Sequence, residues 1–247
     1  MKRMITIMIS AGIVSGAAFA EVAVTVDTAT AYVFRGATVV DELVVQPGIE
    51  VSDFGMPEEY GSISLGVWGS MAPFMDTYDN LHETDWYVAY SLPMIVSNLD
   101  LYVAFTEYQY VAPAGEKEVN FGASYILMKD VTVGGTANFM TDDENGLTEK
   151  QKYFEAFVDV ALNLNENLTA NVGGAAGLMF QGDGNSSLGL NDGLNQYELR
   201  GSLAYAINEM WGIGGSLTYV GQLDDNVLPD SVYDKGLVAM LSLGCDM

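Results

Sequence analysis
The chain has 247 residues, with 33 acidic side chains against 9 basic ones, a formal charge of −24, one Cys and one His. So few scattered cations cannot build a nucleic-acid-binding face, one Cys makes no internal disulfide, and His82 alone leaves most His-based hydrolytic sites without their parts. With 49% hydrophobic and 11% aromatic residues the chain can bury ample surface, so its charge does not signal disorder.

In chain order the first element is a leader. Lys2 and Arg3 precede an apolar stretch over residues 5–19, and Ala18-Phe19-Ala20 supplies an A-x-A cleavage signature. Cleavage after Ala20 is expected, giving residues 1–20 as an export signal and 21–247 as a single domain. The mature chain then keeps 7 basic residues, because Lys2 and Arg3 leave with the signal. No later apolar run approaches the roughly 20 residues that a membrane helix requires.

From there about ten residues of alternation recur twelve times, near 24–34, 40–52, 61–70, 85–92, 99–109, 118–128, 131–140, 153–163, 168–180, 196–206, 211–220 and 233–244. In the eighth segment Phe154, Ala156, Val158, Val160 and Leu162 oppose Tyr153, Glu155, Phe157, Asp159 and Ala161. In the tenth, Tyr197, Leu199, Gly201, Leu203 and Tyr205 oppose Glu198, Arg200, Ser202, Ala204 and Ala206. A strand separates such sets onto two faces, whereas a helix would smear them around its circumference. Glycine pairs at 134–135, 173–174 and 214–215 fall inside these strands, where missing side chains permit curvature.

The connections differ in length. Those at 128–130, 163–167 and 207–210 are tight, while 71–84, 141–152, 181–195 and 221–232 are long and polar. Tight turns at one end and long loops at the other characterise outer-membrane barrels. Phe34, Trp86, Phe139, Phe154, Phe180, Tyr197, Tyr219 and Tyr233 all fall at the loop end on the apolar face, as an interfacial girdle should. Trp211 and Tyr205 supply a sparser lower belt. A soluble β-sandwich also alternates, but it gives no reason for a one-sided aromatic ring or for the alternation of loop lengths. The expected fold is an all-β, antiparallel up-and-down transmembrane barrel of about twelve strands, with short periplasmic turns and long acidic extracellular loops.

The stretch Asp27-Thr28-Ala29-Thr30-Ala31-Tyr32-Val33-Phe34-Arg35-Gly36-Ala37-Thr38 resembles the N-terminal signature of the TorF-type porin family. Further matches are Gln46-Pro47-Gly48-Ile49-Glu50, residues 61–70, and Glu83-Thr84-Asp85-Trp86-Tyr87, so the likeness covers about residues 24–90. It implies an exported, porin-like outer-membrane barrel and says little about the solute. The chain departs from that pattern at Thr30, where Ser is more usual, and in ending Cys245-Asp246-Met247 instead of on an aromatic residue.

The mature chain has two arginines, Arg35 and Arg200, and the alternation places both on interior faces. Candidate interior partners are Asp27, Glu50, Asp85, Glu118, Glu155, Asp159 and Glu198. A guanidinium inside a barrel must be solvated or paired. The set therefore forms either a charged constriction that selects ions or a structural ion-pair network that plugs the lumen. Acidic clusters at Asp142-Asp143-Glu144-Asn145-Gly146, at Asp76, Asp79 and Glu83, and at Asp224-Asp225-Asn226 are either divalent-cation sites or solvated loop tips. Together they favour cations over anions near the mouth. No cofactor or metal set and no catalytic constellation is legible. The expected function is passive diffusion of small, preferentially cationic solutes across the outer membrane, with lipid as the surrounding partner. A non-conducting structural or adhesive barrel with a plugged lumen is the alternative.

Overall fold
A computed structural model describes residues 20–74, 81–110, 115–143, 150–182 and 190–247. The leader (residues 1–19), Asp76, Asp79, Glu144, Asn145 and Gly146, and the side chains of His82 and Asp143 lie outside the described residues. The described chain is almost entirely strand: β1 (Glu21–Ala29), β2 (Tyr32–Phe34), β3 (Ala37–Val40), β4 (Val44–Ser52), β5 (Ser62–Met71), β6 (Leu81–Ser91), β7 (Leu99–Tyr110), β8 (Gly115–Met128), β9 (Val131–Asp143), β10 (Lys152–Asn163), β11 (Leu168–Phe180), β12 (Gly193–Ala206), β13 (Trp211–Gln222) and β14 (Leu237–Asp246).

Twelve of these strands pair in sequence order, and β14 returns to β1 to close an antiparallel barrel. Closure pairs every strand on both sides, which is what a sheet needs where no water can satisfy its edges. The chain ends meet at the tight-turn end, where Val22 and Met247 exchange backbone hydrogen bonds of 3.0 and 2.8 Å. The turns at 164–167 and 207–210 share one local device. Asn165 Oδ1 accepts from the N–H groups of Asn167 and Leu168, and Asn208 Oδ1 accepts from those of Met210 and Trp211, all at 2.9 Å. An Asn that caps its own turn sets the length of the connection.

The alternation is realised in burial. Leu199, Leu203, Leu217 and Leu241 are 58%, 52%, 56% and 67% exposed on the outer face, where lipid would cover them. Inward positions carry Thr25, Asp27, Gln46, Glu118, Asn138 and Ser242, all buried. Several inward rings lie over glycines of the neighbouring strand. A Cβ at Gly66, Gly122 or Gly134 would collide with the ring of Tyr87, Tyr102 or Phe157 respectively. These glycines let large lumenal rings rest against the wall rather than fill the interior.

The structure departs from the sequence-based expectation at both ends of the chain. The expected first strand, 24–34, stops at Ala29, and β4 resumes only at Val44. Between them β2 and β3 form a separate two-stranded hairpin that does not join the wall. Its turn residues Arg35 and Gly36 have φ of 49° and 84°, the positive pair that a two-residue hairpin loop demands. The last strand begins at Leu237, so Tyr233 belongs to the preceding connection and not to the wall. A bulge between Ala176 and Leu178 also shifts the start of β12, turning Asn195 and Gln196 both into buried positions. The length alternation is also incomplete, since β7 ends at Tyr110 and β8 already begins at Gly115 at the loop end.

Candidate functional site: the barrel interior
The β2–β3 hairpin folds into the barrel and contacts inward residues from many sides. Tyr32 stacks on Trp68 of β5 at 5.5 Å, and Phe34 packs on Tyr108 of β7 at 6.0 Å. At its root, Ala29, Val40, Val44 and Ala72 form a small buried apolar core. The 223–236 connection clamps it from above. Thr38 N–H donates to the Val232 carbonyl at 2.7 Å, and Thr38 Oγ1 accepts from the N–H groups of Asp234 and Lys235 at 3.1 and 3.0 Å. Val227 and Leu228 of that connection are buried, and Leu228 stands against Gly36.

At the hairpin tip Arg35 crosses to the wall. Its two terminal nitrogens reach Glu118 Oε1 and Oε2 of β8 at 2.8 Å each, a bidentate pair with side chains 12% and 1% exposed. The guanidinium lies 4.6 Å from the ring centroids of both Phe34 and Tyr153. Tyr108 Oη donates to Glu118 at 3.1 Å, and Asn120 Nδ2 donates to it as well. Asn195 Nδ2 donates to the Arg35 carbonyl at 2.6 Å, and Gln196 Nε2 donates to Tyr153 Oη at 2.6 Å. A left-handed backbone at a residue with a Cβ costs about 1–2 kcal/mol. Arginine tolerates it here because its side chain makes the tip's main bond to the far wall.

Arg200 sits differently. Asp159, Gly173 and Arg200 lie side by side on β10, β11 and β12 by register. Arg200 reaches Asp159 at 3.4 Å and Glu198 at 3.9 Å, with side chains 29%, 35% and 19% exposed. A Cβ on Gly173 would collide with Asp159 Oδ1, so this glycine is what lets the pair span a strand. The remaining candidates pair with neither arginine. Glu155 accepts from Tyr153 Oη at 2.8 Å, Glu50 accepts from Tyr87 Oη, Asp27 is buried on the inner face of β1, and Asp85 is buried beside Glu83 on β6.

Six of the eight girdle candidates lie on the outer face, in three runs of touching rings. Phe139 meets Phe121 and Phe154 at 6.0 and 5.8 Å, Phe154 meets Phe180 at 5.7 Å, Trp86 meets Phe105 at 5.6 Å, and Tyr197 meets Tyr219 at 6.0 Å. Two candidates need correction. Phe34 is inside the barrel, because its strand turned inward after Ala29. Tyr233 lies in the 223–236 connection, where its hydroxyl donates to the Val220 carbonyl at 2.8 Å. Sequence reasoning missed Tyr32, Trp68, Asn195 and Gln196, and it misplaced Glu83, which was expected in an acidic loop cluster with Asp76 and Asp79 but is buried on β6, because that strand begins at Leu81 and not near residue 85. The inward face of Glu83 could have been found from Asp85, since residues two apart share a face.

In the Asp224-Asp225-Asn226 turn, Asn226 donates from its side chain to both carboxylates at 2.9 Å and from its backbone to Asp224 at 2.9 Å. The side-chain bond first, and then the backbone bond, hold the Asp224 carboxyl below its ordinary range. This is a capped turn. Among the described residues no group of three or more His, Cys, Asp or Glu is arranged to hold a metal ion.

A closed wall, an outer aromatic belt and a polar interior entered by a folded-in hairpin place the chain among known barrels. The fold is that of outer-membrane porins. An outer-membrane channel from Pseudomonas putida F1 is similar over 94% of this chain and 97% of its own, at 9% identity and a TM-score of 0.54. The KdgM porin in complex with disordered oligogalacturonate is similar over 92% and 97%, at 8% identity and 0.52. The NanC porin is similar over 90% and 98%, at 11% identity and 0.50. No protein-family profile and no curated protein sequence matches the chain.

Proposed function
We propose that this barrel is a porin-like channel of the outer membrane that passes small solutes by passive diffusion and prefers cations. The observation that carries the reading is the charge of the wall at the level of Arg200. Glu50, Glu155, Asp159 and Glu198 are all part-exposed on inward positions there, with Arg200 as the cation paired among them. A carboxylate-rich, wetted stretch of pore raises cation concentration and disfavours anions. The acidic excess of the whole chain, 33 against 9, acts in the same sense at the mouth.

The folded-in hairpin sets how much of the cross-section is left. Residues 27–38, the stretch that resembles the TorF-type porins, supply the end of β1 and most of that hairpin, so kinship with that family would be kinship in the constriction itself. Export after cleavage at Ala20, with lipid against the aromatic belt, belongs to the same reading. The test is the reversal potential of the purified protein in a planar bilayer under a KCl gradient. A potential of the sign for cation selectivity is expected. Anion selectivity would overturn the preference, and absence of any conductance would favour the plugged, non-conducting barrel.

A further inference from the structure
The pore geometry leaves one buried acidic pair unused. On the inner face of β6, two residues apart, Glu83 and Asp85 are 3% and 8% exposed, which sets their carboxyl groups side by side out of water. Asp85 Oδ1 is fully buried and has no hydrogen-bond partner. Among the described residues, everything that faces the pair is neutral or acidic. From β5 come Ser70 and Trp68, which stand opposite Glu83 and Asp85 in the register. From β7 come Tyr108, Tyr110 and the Gln109 N–H, and from β8 comes Glu116. From the hairpin comes Tyr32, whose ring lies tilted against Trp68 and whose hydroxyl faces Glu83. Neither carboxyl has a Lys or Arg partner among the described residues, and Arg35 is committed to Glu118. Two touching carboxyls shielded from water hold a proton between them, because two full charges there would lack a counterion.

We infer that Glu83 and Asp85 form a proton-operated catch that holds the β2–β3 hairpin in the pore. With one proton shared, Asp85 donates to Glu83, Glu83 accepts from Tyr32, and the hairpin stays docked. When that proton leaves to solvent, the two carboxylates need water, and the water that solvates them displaces Tyr32. The flank of the hairpin then detaches while its tip remains tied to Glu118, and the pore widens. The widening rests on the porin reading, whereas the detachment does not.

The two are separated by measuring both on the full-length protein. Amide hydrogen exchange of residues 32–40 in detergent micelles, corrected for the intrinsic pH dependence of exchange, reports detachment. Protection there should fall at least about tenfold between roughly pH 6 and pH 9, while β10 to β12 stay protected. The E83Q/D85N variant, which cannot lose the proton, should keep its hairpin protected throughout. Tyr32→Phe retains the ring against Trp68 but removes the hydroxyl that faces Glu83, so its hairpin should exchange faster already at pH 6. His82→Gln removes the only imidazole of the chain and should leave the wild-type response intact. A hairpin whose protection ignores pH, a response that persists in E83Q/D85N, a Tyr32→Phe hairpin as protected as wild type, or loss of the response in His82→Gln would each overturn the catch. Planar-bilayer conductance should rise over the same range in the wild type and in His82→Gln, and should not in E83Q/D85N. Detachment without conductance at any pH would uphold the catch and count against the porin reading.

Discussion
The two arginines of the barrel carry the same charge and face carboxylates, yet they sit in opposite surroundings. Arg35 sits at the tip of a hairpin in the interior, bidentate to a Glu118 that is 1% exposed, with aromatic rings beside its guanidinium. Arg200 rises from the wall itself, with longer contacts to Asp159 and Glu198 and all three side chains partly in water. The difference is one of solvation. A dry ion pair is a structural tie whose loss strands a charge, whereas a wet one is a field that passing ions can feel. On the proposed reading, the plugging network and the selecting constriction, set out as alternatives on sequence grounds, correspond to Arg35 and Arg200 respectively.

The largest effect should come from Arg35→Gln. It leaves Glu118 buried and unpaired, so unfolding in detergent should show a loss of about 3–5 kcal/mol. A loss below 1 kcal/mol would mean that water reaches Glu118 and that the two sites are alike. Next is the wall that both sites share. Leu203→Arg or Leu217→Arg should destabilise by about 2–4 kcal/mol near the bilayer midplane, with Ser202→Arg and Ser216→Arg far milder. Equal tolerance on the two faces would remove the inside and outside on which the comparison depends.

Smaller effects belong to Arg200. Gly173→Ala places a methyl where the Asp159 carboxylate lies, so it should part the pair at a cost of roughly 1 kcal/mol, the cost of overpacking at its low end. The reversal potential should move as Asp159 turns freely into the pore. Arg200→Gln should cost about 0–1 kcal/mol. Its reversal potential should shift toward stronger cation selectivity, since one positive charge leaves a wall that keeps Glu50, Glu155, Asp159 and Glu198. A stability loss as large as that of Arg35→Gln would instead make Arg200 a second structural tie.

The architecture was largely legible because lipid outside and water inside impose period two on every wall strand. The inward face of Arg200 and the outward face of Leu203 follow from counting. The hairpin was not legible for the same reason. Ala31, Val33 and Arg35 continue the alternation of β1, and a short hairpin obeys the same period as a wall strand. The one local sign of the turn was Gly36 after Arg35, too weak to break a pattern that otherwise ran on. Tyr233 was misplaced by extending the last alternation four residues too early, which is a boundary error rather than one of type. The pairing of Arg35 with Glu118 could not be read at all, because it depends on where a folded-in tip lands among residues far away in sequence. Gly173 was read as a site of curvature, and only the register shows it sitting between Asp159 and Arg200.

The central claim, that the β2–β3 hairpin occupies the pore and sets its width, is open to a direct measurement. Ala29 and Val44 stand opposite each other in the register, and Thr30 still bonds Ala239 of β14, so a short Gly-Ser turn can replace residues 31–43 while the bonds of the wall are kept. Single-channel conductance of that variant in planar bilayers should exceed the wild-type value clearly. A folded variant with unchanged conductance would show that the hairpin does not limit the pore, and the account would fail there.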